Sequence, residues 1–86
     1  MIYRTRTEIV AIILDVANGG ATKTKIMYNA YLSYNQLKAY LSILIENNVL
    51  EYQNDTKIFR TTEKGLNLLK IYNEMSELLH NTVKND

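Results

Sequence analysis

Thr24-Lys25-Ile26-Met27-Tyr28-Asn29-Ala30-Tyr31-Leu32-Ser33-Tyr34, continuing as Asn35-Gln36-Leu37-Lys38-Ala39-Tyr40-Leu41-Ser42-Ile43-Leu44-Ile45-Glu46-Asn47-Asn48-Val49-Leu50, is the stretch from which the fold is read. Thr22 is a helix-start residue, and Ile26, Met27 and Ala30 give a short helix over about 23–30 its inward side. Ser33 opens the next helix. Ser33-Tyr34-Asn35-Gln36 has the spacing at which a hydroxyl and an amide side chain cap each other's backbone N–H. Leu37, Tyr40, Leu41 and Leu44, with Ile45 at the margin, predict the buried stripe of this helix, while Asn35, Lys38, Ala39, Ser42 and Glu46 face outward. Asn47-Asn48 predicts its end, because asparagine tolerates left-handed backbone geometry better than other non-glycine residues. Helix, tight turn, helix is the helix-turn-helix arrangement.

On the N-terminal side, Thr5-Arg6-Thr7-Glu8 is a capping box, followed by Ile9, Ile12, Ile13 and Val16 at helical spacing. Val10, Leu14 and Ala17 widen the stripe, so this first helix is expected to be covered on more than one side, and Asn18-Gly19-Gly20 stops it. On the C-terminal side, Val49–Tyr52 and Lys57–Arg60 predict two strands around the turn residues Gln53-Asn54-Asp55-Thr56, with Phe59 and Thr61 inward and Ile58 and Arg60 on the other side. Thr62-Glu63-Lys64-Gly65 opens a last helix reaching about Thr82, near 30 Å long. The fold class is therefore mostly α with a small β-hairpin wing: a winged helix-turn-helix with a long C-terminal helix, forming one domain over residues 1–86.

Composition narrows the chemistry. With no cysteine, disulfides, thiolate zinc sites and cysteine nucleophiles are all excluded. No apolar run approaches the ~20 residues of a membrane-spanning helix; Ile9–Leu14 is too short, and Met1-Ile2-Tyr3 lacks the charged-then-apolar order of a secretory signal, so a cytoplasmic location is expected. The formal net charge is only +1, but it is uneven. Residues 1–45 carry five basic and two acidic groups and the remainder five and seven, which favours an anionic partner at the N-terminal half.

Short polar side chains near the start of an exposed helix are what major-groove reading requires. Asn35, Gln36, Lys38 and Ser42 supply them, since asparagine and glutamine can bond adenine bidentately and lysine can bond guanine or phosphate. Any exposed helix is polar outside; the helix before and the hairpin after give this polar face its meaning. Lys23 and Lys25 flank a helix N-terminus where backbone N–H groups already favour phosphate, Tyr34 can donate its hydroxyl, and Lys57 and Arg60 lie on the wing. Arg4 and Arg6 stand similarly at the first helix, either as phosphate contacts or as solvated terminal charges. About six phosphate neutralisations are available at most, which predicts strongly salt-dependent binding. Asp55 at the wing tip opposes deep insertion there.

Seven tyrosines raise base stacking as a further possibility. Tyr40 and Tyr72 fall on inward faces, and Tyr28, Tyr31 and Tyr34 surround the turn, where packed rings with bonded hydroxyls are expected. In the last helix, Leu68, Ile71, Met75, Leu78 and Thr82 follow the spacing of a coiled-coil seam, and Leu69, Tyr72, Ser76, Leu79 and Val83 repeat it one residue later. One stripe can dock on the domain. The other is a candidate dimer interface (Leu68, Ile71, Met75, Leu78), making 63–82 a dimerisation helix, unless both form one wide face covered by the first helix.

Catalysis has no constellation to build on: one histidine, His80, no nucleophile elbow and no glycine-rich phosphate loop. No catalytic residue, metal ligand, cofactor or small-molecule ligand is assigned, and an enzyme is not expected.

Thr24-Lys25-Ile26-Met27-Tyr28, Ala30, Leu32-Ser33-Tyr34, Tyr40, Leu44 and the later Thr62-Glu63-Lys64-Gly65 resemble the archaeal winged-helix DNA-binding proteins, a family that includes a small chromatin-associated protein of thermoacidophilic archaea and short transcriptional regulators. The resemblance extends over about residues 5–75. It implies duplex DNA as partner, a homodimer through the C-terminal helix, residues 34–45 as recognition helix and 49–61 as wing. Against that family, Asn47-Asn48 replaces a more usual glycine, the last helix is shorter than in the chromatin-associated member, and Thr61 takes the place of a larger apolar residue, which predicts a less firmly anchored wing. Transcriptional regulation is the expectation. A DNA-architectural protein without sequence preference, or a winged-helix module that docks on another protein, is the alternative, the latter kept open by the near-neutral charge.

Overall fold

Helix capping sets the boundaries of the first three helices in the computed structural model, which describes residues 4–84, with side chains through Asn81. Met1-Ile2-Tyr3, the last two residues of the polar tail, and the side chains of Thr82 and Val83 assigned to the two stripes lie outside the described part. Helix α1 (Arg6–Val16) begins at Thr5, whose hydroxyl accepts from the Glu8 N–H at 3.1 Å while the Glu8 carboxylate accepts from the Thr5 N–H at 3.2 Å. Helix α2 (Lys23–Ala30) is capped by Thr22. Helix α3 (Tyr34–Glu46) begins with the reciprocal Ser33–Gln36 pair.

Both ends of α3 behave as their residues require. At the C-terminus Asn48 takes the left-handed conformation (φ 62°), its N–H bonds the Ile45 carbonyl, and the Val49 N–H bonds the Leu44 carbonyl. This is the Schellman closure, with asparagine in glycine's usual place. Leu37, Leu41 and Leu44 are buried; Tyr40 is half-buried, and Ile45 is exposed, being one position past the stripe.

Strands β1 (Leu50–Gln53) and β2 (Ile58–Thr61) pair antiparallel, Leu50 opposite Thr61 and Tyr52 opposite Phe59. Each starts one residue later than the sequence predicts. Val49 is consumed in closing α3, and Lys57 belongs to the turn, with φ 56°. Helix α4 (Glu63–Lys84) follows Thr62, whose hydroxyl accepts from the Gly65 N–H. At 22 residues it is about 33 Å long.

The core lies where α1, α2, α3 and the hairpin meet. Ile13, Leu14, Ile26, Leu37 and Leu50 are its largest fully buried side chains, with Phe59 and Leu69 at its edges. Strand β2 organises it. Phe59 exchanges two 2.8 Å backbone bonds with Ala21, an isolated bridge that makes the α1–α2 connection a third neighbour of the hairpin. Two residues on, the Thr61 N–H donates to the Ala17 carbonyl at 3.1 Å and its hydroxyl to the Leu14 carbonyl at 2.6 Å. Asn18 would be the helical donor to that carbonyl but bonds Asp15 instead, so the threonine satisfies a group that the end of α1 leaves over. The wing is therefore firmly anchored, contrary to the expectation from Thr61's small size. A larger apolar residue would fill space there but could not make this bond.

Gly65 lets α4 approach closely: a Cβ there would collide with the Val49 carbonyl oxygen and stand 2.7 Å from Thr61 Cγ2. Around it the Thr62 N–H bonds the Val49 carbonyl, the Thr62 hydroxyl bonds the Asn48 carbonyl at 2.7 Å, and Lys64 Nζ bonds the Asn47 carbonyl at 3.0 Å. The start of α4 is thereby fastened to the end of α3.

Replacing Thr61 by valine keeps the volume but orphans the Leu14 carbonyl. Urea denaturation of Thr61→Val should show a loss of about 1–3 kcal/mol; an unchanged midpoint would mean that the hydroxyl bond contributes nothing net.

Candidate nucleic-acid interface

The N-termini of α2 and α3 converge on Tyr34. Lys23 Nζ lies 5.1 Å from its ring centroid and Lys38 Nζ 5.6 Å, so a lysine of each helix lies against one ring. These are cation–π distances. They place two ammonium groups beside one ring, within a chain segment, residues 16–45, that contains no Asp or Glu. Lys25, in the first turn of α2, is exposed beside them in sequence.

On α3 the four residues expected to face a base edge, Asn35, Gln36, Lys38 and Ser42, are all exposed. Gln36 is partly committed: its Oε1 accepts from the Ser33 N–H at 3.0 Å, leaving the amide nitrogen outside the cap. Bidentate pairing with adenine would require that oxygen to be shared between the cap and the base. Ile43 was absent from the sequence-derived face and is 55 % exposed. It sits one turn beyond Ala39 and outside the Leu37–Leu41–Leu44 stripe, a spacing legible in the sequence. The two can offer apolar contact to a thymine methyl.

The wing cations differ from one another. Lys57 is exposed at the hairpin turn. Arg60 is half-buried along β2, where its guanidinium lies over Gly20: a Cβ on that glycine would stand 3.3 Å from Arg60 Nη2. Gly20 has φ 109° as well, so both backbone and space call for glycine. The structure thus brings Lys23, Tyr34 and Lys38 together and leaves Arg60 against the α1–α2 loop.

The tyrosines at the turn correct the sequence reading. Tyr28 is 74 %, Tyr31 85 % and Tyr34 52 % exposed, so these rings are not packed as expected. Tyr31 ends α2 in the left-handed conformation (φ 52°), with the Leu32 N–H bonding the Met27 carbonyl as in a Schellman closure. Glycine or asparagine is the usual residue there. Arg4 braces it from the N-terminus, its Nη2 donating to the Tyr31 carbonyl at 3.3 Å and its guanidinium carbon 5.8 Å from the ring centroid. Arg4 Nη1 is shielded and has no hydrogen-bond partner among the described residues.

Helix α4 divides as its two stripes suggest. Leu69 is buried and Tyr72 half-buried, whereas Leu68, Ile71, Met75 and Leu78 are exposed. Residues 73–81 are exposed on every side. Between α1 and α4 runs an apolar groove of about 410 Å³, floored by Val10, Ala11 and Leu14 and walled by Leu68, Ile71 and Met75. No helix among the described residues is long and apolar enough to cross a membrane.

This combination of four helices, a hairpin anchored on α1 and a recognition-type helix after a tight turn defines a winged helix-turn-helix, and the chain belongs to that family, whose model matches residues 3–80. Among solved structures it is similar to Sso10a-2, a DNA-binding protein from Sulfolobus solfataricus, at 28 % identity over 95 % of this chain and 92 % of that one, with a TM-score of 0.74. No curated protein matches the chain.

Because Tyr31 is almost wholly exposed and sits in a backbone region that costs a non-glycine residue energy, Tyr31→Asn should stabilise the fold. The expected gain is about 0.5–1 kcal/mol, read as a higher thermal midpoint by circular dichroism; a lower midpoint would show that the Arg4 contact outweighs the backbone cost.

Proposed function

We propose that the protein binds double-stranded DNA as a homodimeric transcriptional regulator, with α3 in the major groove. The observation that carries this reading is the pair of lysines, Lys23 and Lys38, held against the Tyr34 ring in a chain segment without acids, on a winged-helix chain similar to a DNA-binding protein. Asn35, Gln36, Lys38 and Ser42 point to bases; Lys23, Lys25 and Tyr34 point to the backbone beside them. Lys57 reaches the backbone from the wing, and Arg60 adds charge nearer the body of the domain. A regulator of this kind would work in the cytoplasm, where an archaeal chromosome lies, and needs neither cofactor nor metal.

Binding free energy then divides between two kinds of contact. Lysine–phosphate contacts release counterions and act on any sequence, whereas contacts to base edges discriminate. The engagement of Gln36 Oε1 in the helix cap favours a second reading, sequence-independent duplex binding, because it reduces the groups free for base recognition. Lys38→Ala separates the two. With a preferred site in hand, it should lower specific affinity by about 1–3 kcal/mol and relax sequence preference, while Lys25→Ala should weaken all duplexes alike and flatten the salt slope by about one. Equal losses on specific and random DNA for Lys38→Ala would remove α3 from base reading. Fluorescence anisotropy across a salt series measures both.

The dimer rests on the exposed seam of α4 beside the apolar groove. Leu68, Ile71 and Met75 continue the groove wall, and the same helix of a second copy has the length and the apolar spacing to cover it. Ile71→Glu would place a charge in that contact. Sedimentation equilibrium should give twice the chain mass for the unaltered protein and a monomer for Ile71→Glu; a monomeric unaltered protein at tens of micromolar would sink the dimer.

A further inference from the structure

Three exposed tyrosine rings flank the turn between α2 and α3, Tyr28 within α2, Tyr31 at its C-cap and Tyr34 at the first position of α3, and the core uses none of them. Tyr28 and Tyr31 are more exposed than any other large apolar or aromatic side chain of the core-bearing elements, and Tyr34 is half exposed. A lone exposed aromatic needs no explanation, but three exposed within seven residues around one turn call for one. Tyr31, moreover, is held in left-handed geometry, where a non-glycine residue costs stability. A ring retained at such a cost, with almost none of its surface buried, is available to a partner.

The chemistry around the rings narrows the partner. Arg4 lies over Tyr31, and Lys23 and Lys38 lie over Tyr34, with no acid in the surrounding chain segment. The partner is therefore anionic and offers flat faces. Duplex DNA offers its anionic backbone and base edges, but its base faces are stacked on one another. A single strand offers both phosphates and free faces, the combination that interleaved cations and aromatic rings accommodate without reading sequence.

We propose that this turn is a stacking platform for unpaired bases, so that the protein binds single-stranded nucleic acid through Tyr28, Tyr31 and Tyr34, with Lys23 and Lys38 holding the phosphates and Arg4 bracing Tyr31. DNA and RNA strands share this chemistry. The site does not depend on α3 entering a major groove, so it stands or falls separately from the duplex reading.

The test uses the full chain and labelled single strands of about fifteen nucleotides: oligothymidylate, oligouridylate and an abasic strand with the same phosphates. Binding is followed by anisotropy and by quenching of tyrosine fluorescence. The variant is Tyr28→Ala/Tyr31→Asn, chosen because alanine suits a helix and asparagine suits left-handed backbone; circular dichroism establishes that it folds. The unaltered protein should bind a base-bearing strand about tenfold or more tighter than the abasic strand, with its tyrosine emission quenched. The double variant should lose that advantage while its affinity for a duplex stays within about twofold. A preference between the thymidylate and uridylate strands assigns the platform to DNA or RNA, and equal binding assigns it to both. Equal affinity of the unaltered protein for base-bearing and abasic strands would overturn the proposal, as would undiminished discrimination by the variant or a parallel loss on duplex and strand.

Discussion

Strand β2 is bonded on three sides, and the placement of every other element follows from that. It pairs with β1, it exchanges two backbone bonds with Ala21, and through Thr61 it closes the last turn of α1. A two-stranded hairpin is marginal by itself in water. Here its inner strand also satisfies carbonyls that the end of α1 cannot satisfy alone, so wing and helix stabilise one another. Because Ala21 immediately precedes the cap of α2, the bridge at Phe59 also fixes where α2 begins, and with it the position of Lys23 beside Tyr34.

What the sequence made legible was local. The capping boxes at Thr5 and Ser33, the asparagine closure of α3 and the apolar stripes act within a few residues, and each was found where its residue types predict. The winged helix followed from their order. Long-range bonds were not legible. Nothing in Ala21 advertises a partner at Phe59, and Thr61 looked like a weakness until its hydroxyl met a carbonyl 47 residues away. Tyr31 misled because aromatic rings near a turn usually pack with a bonded hydroxyl, whereas here the residue closes α2 in left-handed geometry with its ring exposed. Ile43 was within reach, since its spacing from Ala39 placed it outside the buried stripe.

The interface concentrates a small charge by geometry rather than by number. Net charge is close to neutral, yet acids are excluded from a thirty-residue segment and two lysines share one aromatic ring. The ring orders both side chains while leaving them charged, which lowers the conformational entropy lost when they engage an anion. Electrostatic attraction of this kind weakens with salt over roughly a Debye length, about 8–10 Å under physiological conditions. Position within the patch therefore matters more than the overall charge of the molecule.

The close approach at Gly65 ties the start of α4 to the residues that close α3. Their junction has no slack: a helix backbone rests on the Val49 carbonyl, and the hydroxyl of Thr62 and the ammonium of Lys64 grip the carbonyls of Asn48 and Asn47. A side chain at position 65 would have to lift the start of α4 off the Val49 carbonyl, loosening the Thr62 and Lys64 bonds with it. Because Thr61 Cγ2 lies against the same spot, that displacement would reach the hairpin as well as the residues that close α3.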